Sequence, residues 1–242
     1  MLSTGTISEG KIPVILSQRL PRESAREYAL RLLKKNIISL DLAPGSMLSE
    51  NEISMQLGLS RTPVREALIE LGKVSIVEVF PQKGSRIKLI DYNLVEESYF
   101  LRMVLENAVV KILCESDQDL NVSPLEESLK LQEFYMDHQD TEKLLELDNS
   151  FHRELFARAN KQLCYQWLID GMTIHFDRVR ILSLHTVKDI KIVSDHKAIL
   201  QAIKNRNGLE AIEQMTTHLS RYKIDEKEIR KKFPDYLVPI KE

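Results

Sequence analysis

Cysteine is scarce in this chain: two residues in 242, Cys114 and Cys164. Both fall in apolar stretches with helical spacing. They read as packing thiols of a reduced, cytoplasmic protein, and a disulfide framework is excluded. No apolar run approaches membrane-spanning length, which excludes a spanning helix. Residues 1–20 contain Pro13 and scattered polar groups, the wrong composition for a secretory signal. There is no internal repeat, no low-complexity tract and no HExxH pair. The last absence weighs against a metal-dependent hydrolase, since no motif places a general base beside a metal.

What is present is ordinary for a globular protein, and the length suits two modest domains. The net charge of −2 hides an asymmetry. Residues 1–89 hold 13 Lys/Arg against 9 Asp/Glu, whereas residues 90–242 hold 21 against 27. A basic head on an acidic body fits a nucleic-acid-binding domain followed by one with another task.

Hydrophobic periodicity divides the chain further. Residues 1–20 read as a flexible arm. A helix is expected from about Arg22 to Asn36, with Ala25, Ala29, Leu32 and Leu33 on one stripe. After the turn Leu42-Ala43-Pro44-Gly45, Ser49 caps a short helix, Glu52 completes a capping box, and Gly58 ends it. Ser60 caps the next helix, whose first turn accommodates Pro63. Val64, Ala67, Leu68 and Leu71 face inward there, and Arg61, Thr62 and Arg65 face out. Val74–Phe80 and Ser85–Leu89 read as two strands around a Pro81–Gly84 turn. Beyond Asp91 the pattern is helical, over 92–115, 122–138, 141–159, 161–184, 188–205 and 207–231. The expected fold is mainly α: a winged helix-turn-helix at 21–90, an antiparallel all-helical bundle at 91–232, and a tail at 233–242.

Two short helices joined by a tight turn place the second helix in the DNA major groove, N-terminus first. Arg61 and Arg65 then suit guanine edges, and Thr62 a base or phosphate. Lys83 at the hairpin tip meets phosphate, and Gly84 allows close backbone approach. The residues Pro44-Gly45-x-x-Leu48, Glu52 and Leu59-Ser60-Arg61-Thr62-Pro63-Val64-Arg65-Glu66-Ala67-Leu68 resemble the DNA-binding head of GntR-family regulators. The chain departs from that pattern at Asn51, where the family often has a basic residue, and at Ser75, where it usually has glycine.

In the helical part, four polar residues interrupt apolar stripes. Asp148 and His152 stand at i and i+4 beside Leu144, Phe151 and Leu155. His196 lies among Ile192, Val193, Ile199 and Leu200, and His218 among Ala211, Met215, Leu219 and Tyr222. Buried polar groups need partners, and three imidazoles with one carboxylate suit zinc first, with nickel, manganese or iron also compatible. Arg102 shares a stripe with Val95, Tyr99, Leu105 and Val109; it reads either as an anchor for a ligand carboxylate or as a salt bridge to a core acid. His138, His175 and His185 read as structural or surface residues, and Trp167 as packing.

Asp148-x-x-Phe151-His152-x-x-Leu155, Asn160, His196 and His218 also resemble the FCD effector domain of FadR-like GntR regulators, over residues 92–232. That resemblance implies a metal held by Asp148, His152, His196 and His218, a ligand-binding role for Arg102, and a small carboxylate effector. It further implies a homodimer on a pseudo-palindromic double-stranded operator, most simply as a repressor and not an enzyme. Two other readings stay open: a hydrolase built on the four polar residues, which leaves the N-terminal motif unexplained, and a purely structural metal.

Overall fold

The computed structural model describes residues 13–116, 120–171, 173–186 and 191–240. The chain forms two compact units. One comprises the chain up to Asp91 together with the segment from Asp235; the other is Tyr92–Pro234.

The first unit holds α1 (Ala25–Ile38), β1 (Met47–Leu48), α2 (Glu50–Leu57), α3 (Arg61–Lys73), β2 (Val77–Phe80) and β3 (Gly84–Ile87). A full capping box opens α1: Ser24 accepts from Glu27 N, and the Glu27 carboxylate returns to Ser24 N. Ala29, Leu32, Leu33 and Ile37 are buried against α3, whose own buried positions are Val64, Ala67, Leu68 and Leu71. Ser49 accepts from Glu52 N to start α2, and Gly58 ends it in the left-handed region at φ 63. Ser60 stands at the N-cap of α3 with extended backbone. Contrary to expectation, its side chain makes no capping bond.

The wing is larger than the expected hairpin. Its sheet has three antiparallel strands in the order β1-β3-β2, with Leu48 opposite Ser85 and Phe80 opposite Gly84. A two-residue strand is too short for period-2 alternation to reveal it. The expected first strand also starts late, at Val77. Before it, Ser75 adopts φ 60, the conformation for which glycine is suited.

Residues at both margins of this unit are tied down. Val14 N donates to Gln56 Oε1, and Ile15 exchanges bonds with the side chain of buried Asn36. The expected loose arm is therefore anchored from about this point; residues 1–12 lie outside the described residues. At the other margin, Ile90 N donates to Tyr236 O and Val238 N donates to Ile90 O, a parallel bridge with Leu237. What reads as a free tail is a segment of the first unit.

The second unit is all-helical: α4 (Tyr92–Glu115), α5 (Ser123–Asp137), α6 (Thr141–Arg158), α7 (Gln162–Gly171), α8 (Thr173–Thr186), α9 (Ile192–Lys204) and α10 (Gly208–Lys232). The stretch read as one helix over 161–184 is helical on both sides of residue 172, which lies outside the described residues. The interior of the unit is formed where α10 packs on α4, α8 and α9, and where α6 packs on α4, α5 and α8. α8 is buried almost all round, through Ile174, Phe176, Arg178, Val179, Ile181 and Leu182. Trp167, expected to pack, is 69% exposed.

Candidate functional site

On the first unit, the N-terminal face of α3 and the wing border one groove. Its walls include Glu50, Arg61, Arg65, Lys83 and Gly84. Ser60, Arg61, Thr62, Arg65 and Lys83 are exposed, as the spacing of the inward residues requires. The two arginines share an acid that sequence reading missed. Glu50, in the first turn of α2, accepts from Arg65 Nε and Nη2 at 3.1 and 2.9 Å and lies 3.8 Å from Arg61. Gly84 has a structural reason to be glycine. Its φ is 100, and a Cβ there would stand 2.7 Å from the Leu48 carbonyl oxygen. Closing the wing against β1 therefore requires this glycine, whatever approaches from outside.

On the second unit, Asp148 and His152 of α6, His196 of α9 and His218 of α10 converge. One ligand atom from each lies within 4.8 Å of all the others. Asp148, His152 and His196 have no exposure, and the His218 side chain has 8%. The three imidazoles turn the same nitrogen inward. His152 Nε2 and His196 Nε2 lie 3.1 and 3.3 Å from His218 Nε2, and the three Nε2 atoms lie 3.5–3.9 Å from Asp148 oxygens.

Each outer nitrogen faces an acceptor. His152 Nδ1 lies against Glu106, His196 Nδ1 is 2.7 Å from Gln132 Oε1, and His218 Nδ1 is 3.4 Å from Asp195. Acceptors at Nδ1 assign the ring protons there and leave three Nε2 lone pairs facing a carboxylate. Both Asp148 oxygens are buried without a hydrogen bond of ordinary geometry. Three Nε2 acceptors converging with no donor among them are mutually unfavourable, and the Arg180 guanidinium answers only Asp148, so a cation where they meet resolves the conflict. The spacing fits as well. Metal–nitrogen bonds of about 2.1 Å imply neighbouring nitrogens roughly 3.0–3.4 Å apart. The residues therefore fit a divalent ion.

Arg102 is buried as expected; it makes a salt bridge to a core acid and also borders a cavity. Its Nε donates to Glu106 Oε1 at 2.6 Å, and its guanidinium lies over the Phe176 ring at 5.0 Å. Burial alone would raise the Glu106 carboxyl; Arg102 and His152 outweigh it and hold the group well below the usual carboxylate range. Arg102 also borders a cavity of about 210 Å³, with Asp148, Arg180, His218, Arg221 and Tyr222. Sequence reading did not find Arg180 or Arg221. Arg180 forms an ion pair with Asp148, and Arg221 grips Asp195 through two nitrogens. Gln132 and Asp195 were missed too, although Asp195 adjoins His196 in sequence. Of the three remaining histidines, His138 bonds Phe134 O on the surface, His175 is buried, and His185 is not among the cavity residues.

Comparison with known proteins agrees with this geometry. Residues 26–87 match the family described as "Bacterial regulatory proteins, gntR family", and residues 97–221 match the "FCD domain". The HTH-type transcriptional repressor RspR of Escherichia coli K12 is 30% identical over 222 residues, 91% of this chain and 96% of that protein. An HTH-type regulator from an unstable DNA locus of Streptomyces ambofaciens is 32% identical, over 91% of this chain and 92% of its own length. Among solved structures, E. coli McbR/YncC shares the fold with TM-score 0.72 at 18% identity, covering 87% of this chain and 99% of that one. A GntR regulator from Rhodococcus sp. RHA1 does so with TM-score 0.66 at 23% identity, covering 85% and 97%. With a helix-turn-helix and wing in its first unit and an FCD domain over just more than half its length, this chain belongs to the GntR family of DNA-binding transcription regulators.

Proposed function

We propose that this chain is a cytoplasmic, homodimeric repressor whose DNA affinity answers to a small carboxylate. In this reading residues 21–90 bind the operator and residues 91–232 bind the effector. Ser60, Arg61, Thr62 and Arg65 enter the major groove of a pseudo-palindromic operator. Lys83, at the tip of a wing that Gly84 closes, touches phosphate. Asp148, His152, His196 and His218 hold a divalent ion, zinc first, with nickel, manganese or iron as alternatives.

The observation that carries the effector half is the cluster of four buried acceptors beside a cavity that arginines also line. When bound, the ion supplies open coordination positions for a carboxylate oxygen. Arg102 borders the same cavity, and its guanidinium favours an anion there even while Glu106 engages it. The carboxylate can alter DNA affinity only as far as it binds two dimer states differently. The name of the E. coli relative, a repressor, supports release of DNA as the response.

The test combines three measurements on the full chain. Footprinting should show two half-sites occupied by a dimer, and Lys83→Ala should weaken binding to all sequences alike and lower the salt slope by about one. Elemental analysis should find one divalent ion per chain, lost from a His152/His196/His218 triple alanine variant. Calorimetry with a panel of mono- and dicarboxylates should find binding that depends on the ion. An occupied triple variant, or carboxylate binding indifferent to chelation, would overturn the effector half.

A further inference from the structure

Arg180 is a cavity cation to which neither the metal reading nor the DNA-facing surface gives a role. It sits on α8, and its side chain is 12% exposed. Its guanidinium has two stations. Nη1 donates to Asn149 Oδ1 and to Asp177 Oδ1, both at 2.8 Å. Nη2 is turned the other way, into an ion pair with Asp148.

Asp148 is the single carboxylate of the ligand cluster, so two cations have a claim on it: the guanidinium, and an ion at the point where three Nε2 atoms converge. The other carboxylates close to the histidines offer no relief. Glu106 is engaged by Arg102 and His152, and Asp195 by Arg221 and His218. A guanidinium and a divalent ion pressed on one buried carboxylate repel each other where little water screens them. The tether to Asn149 and Asp177 means that relief does not require the side chain to leave. The guanidinium is one rigid plane, so it has to pivot as a whole about Nη1, and the cavity that Arg180 lines gives it room.

We propose that Arg180 is a displaceable counter-ion of Asp148. It competes with the divalent ion for that carboxylate, and once displaced it presents Nη2 to the cavity as an anchor for an anionic group. This rests on the reading that Asp148 and the three histidines hold a divalent ion. Linkage then follows. An anion that engages the displaced guanidinium must tighten ion binding by the same factor by which the ion tightens anion binding.

The test is zinc titration of chelator-stripped full-length protein against a competing dye. Wild type would be compared with Arg180→Met, Arg180→Gln, Arg180→Lys and Asp148→Asn, each checked for folding by near-ultraviolet circular dichroism. Removing the competitor should tighten zinc binding by roughly tenfold in the Met and Gln variants. The Lys variant keeps the charge and should stay near wild type. Among succinate, citrate and phosphate, at least one should tighten zinc binding to wild type, and none should do so in Arg180→Met. Zinc affinity that is unchanged or weaker in the folded neutral variants overturns the proposal. So does wild-type affinity indifferent to all three anions. If neutral variants do not fold, zinc added to wild type labelled with 15N-arginine must move a buried guanidinium resonance; an unmoved spectrum also overturns it. Retention of zinc by Asp148→Asn would instead overturn the underlying ligand assignment.

Discussion

Glu50 and Arg65 hold each other across the turn between α2 and α3, through two nitrogens of the arginine. The contact is on the surface and adds little to stability, as exposed ion pairs generally do. Its consequence is orientation: an acid fixed at the first turn of α2 decides where the Arg65 fork points.

Glu50→Gln should therefore leave the melting temperature nearly unchanged and blur DNA recognition. If this surface meets the operator as proposed, removing an acid from it favours all sequences, while loosening Arg65 penalises the correct one. Discrimination between cognate and scrambled duplexes should fall by roughly tenfold, with non-specific binding equal or tighter. Binding isotherms at fixed salt check this, and an unchanged ratio would show that Arg65 finds its base unaided.

Ser75 offers a prediction of the opposite sign. A side chain at φ 60 is strained, and glycine relieves the strain while enlarging the freedom of the unfolded chain. Strain relief is the larger effect, so Ser75→Gly should stabilise the first unit by up to about 1 kcal/mol. Urea denaturation followed at the DNA-binding unit would register a lower midpoint if the strain were absent.

Arg102 and Glu106 form a buried pair, at 4% and 1% side-chain exposure. Taking away one partner leaves an unmatched charge in the interior. Arg102→Met should cost about 3–5 kcal/mol, and adding Glu106→Gln, which removes the charge but keeps an acceptor for His152 Nδ1, should recover most of it. Equal destabilisation in the single and double variants would show that packing, not charge, governs the loss. The double variant also separates the structural duty of Arg102 from any duty toward a ligand.

The histidine cluster predicts a pH response of the metal-free protein. Burial, opposed by the Asp195 carboxylate, pushes His218 down to about 4, while an unfolded chain titrates it near 6.5. Between those values the unfolded state binds more protons, so stability falls as pH drops through the window. Above pH 6.5 this contribution is constant. Thermal melts of chelator-treated protein should decline from pH 6.5 toward 4, and zinc, which competes with protons for the same nitrogens, should raise the curve while making it steeper. Burial raises the Asp177 carboxyl to about 6, which acts in the opposite sense over part of this window, so the His218 share is the difference between wild type and His218→Gln; no difference would contradict the burial of that ring.

Much of the site was legible because helices repeat. Asp148 and His152 are four apart, and the apolar neighbours of His196 and His218 announce which way those rings turn. The outward set on α3 is the complement of Val64, Ala67, Leu68 and Leu71. Gln132, Asp195 and Arg180 were not legible, because each meets its partner from a different helix at a distance no local period encodes. Pairing of Glu50 with Arg65 likewise crosses fifteen positions. The short strand Met47–Leu48 carries too few residues to alternate, and its existence depends on Gly84 admitting the Leu48 carbonyl. Ser60 misled for a local reason: the right residue type occupies the cap position, but its hydroxyl does not turn back to the helix.

The bridge between Ile90 and Leu237 makes the DNA-binding unit discontinuous in sequence. Ile90 is fully buried and Leu237 nearly so, and both backbone groups of Ile90 are answered by residues 236 and 238. On the ribosome this unit cannot be finished when its own helices emerge. It must wait until the whole second unit and the residues after it have been made. A fragment ending at Asp91 would carry an uncovered isoleucine and an unpaired backbone edge, an invitation to aggregation. For dissection of this protein, the workable head is residues 13–91 joined by a short linker to residues 235–240, and a purification tag belongs at the other end.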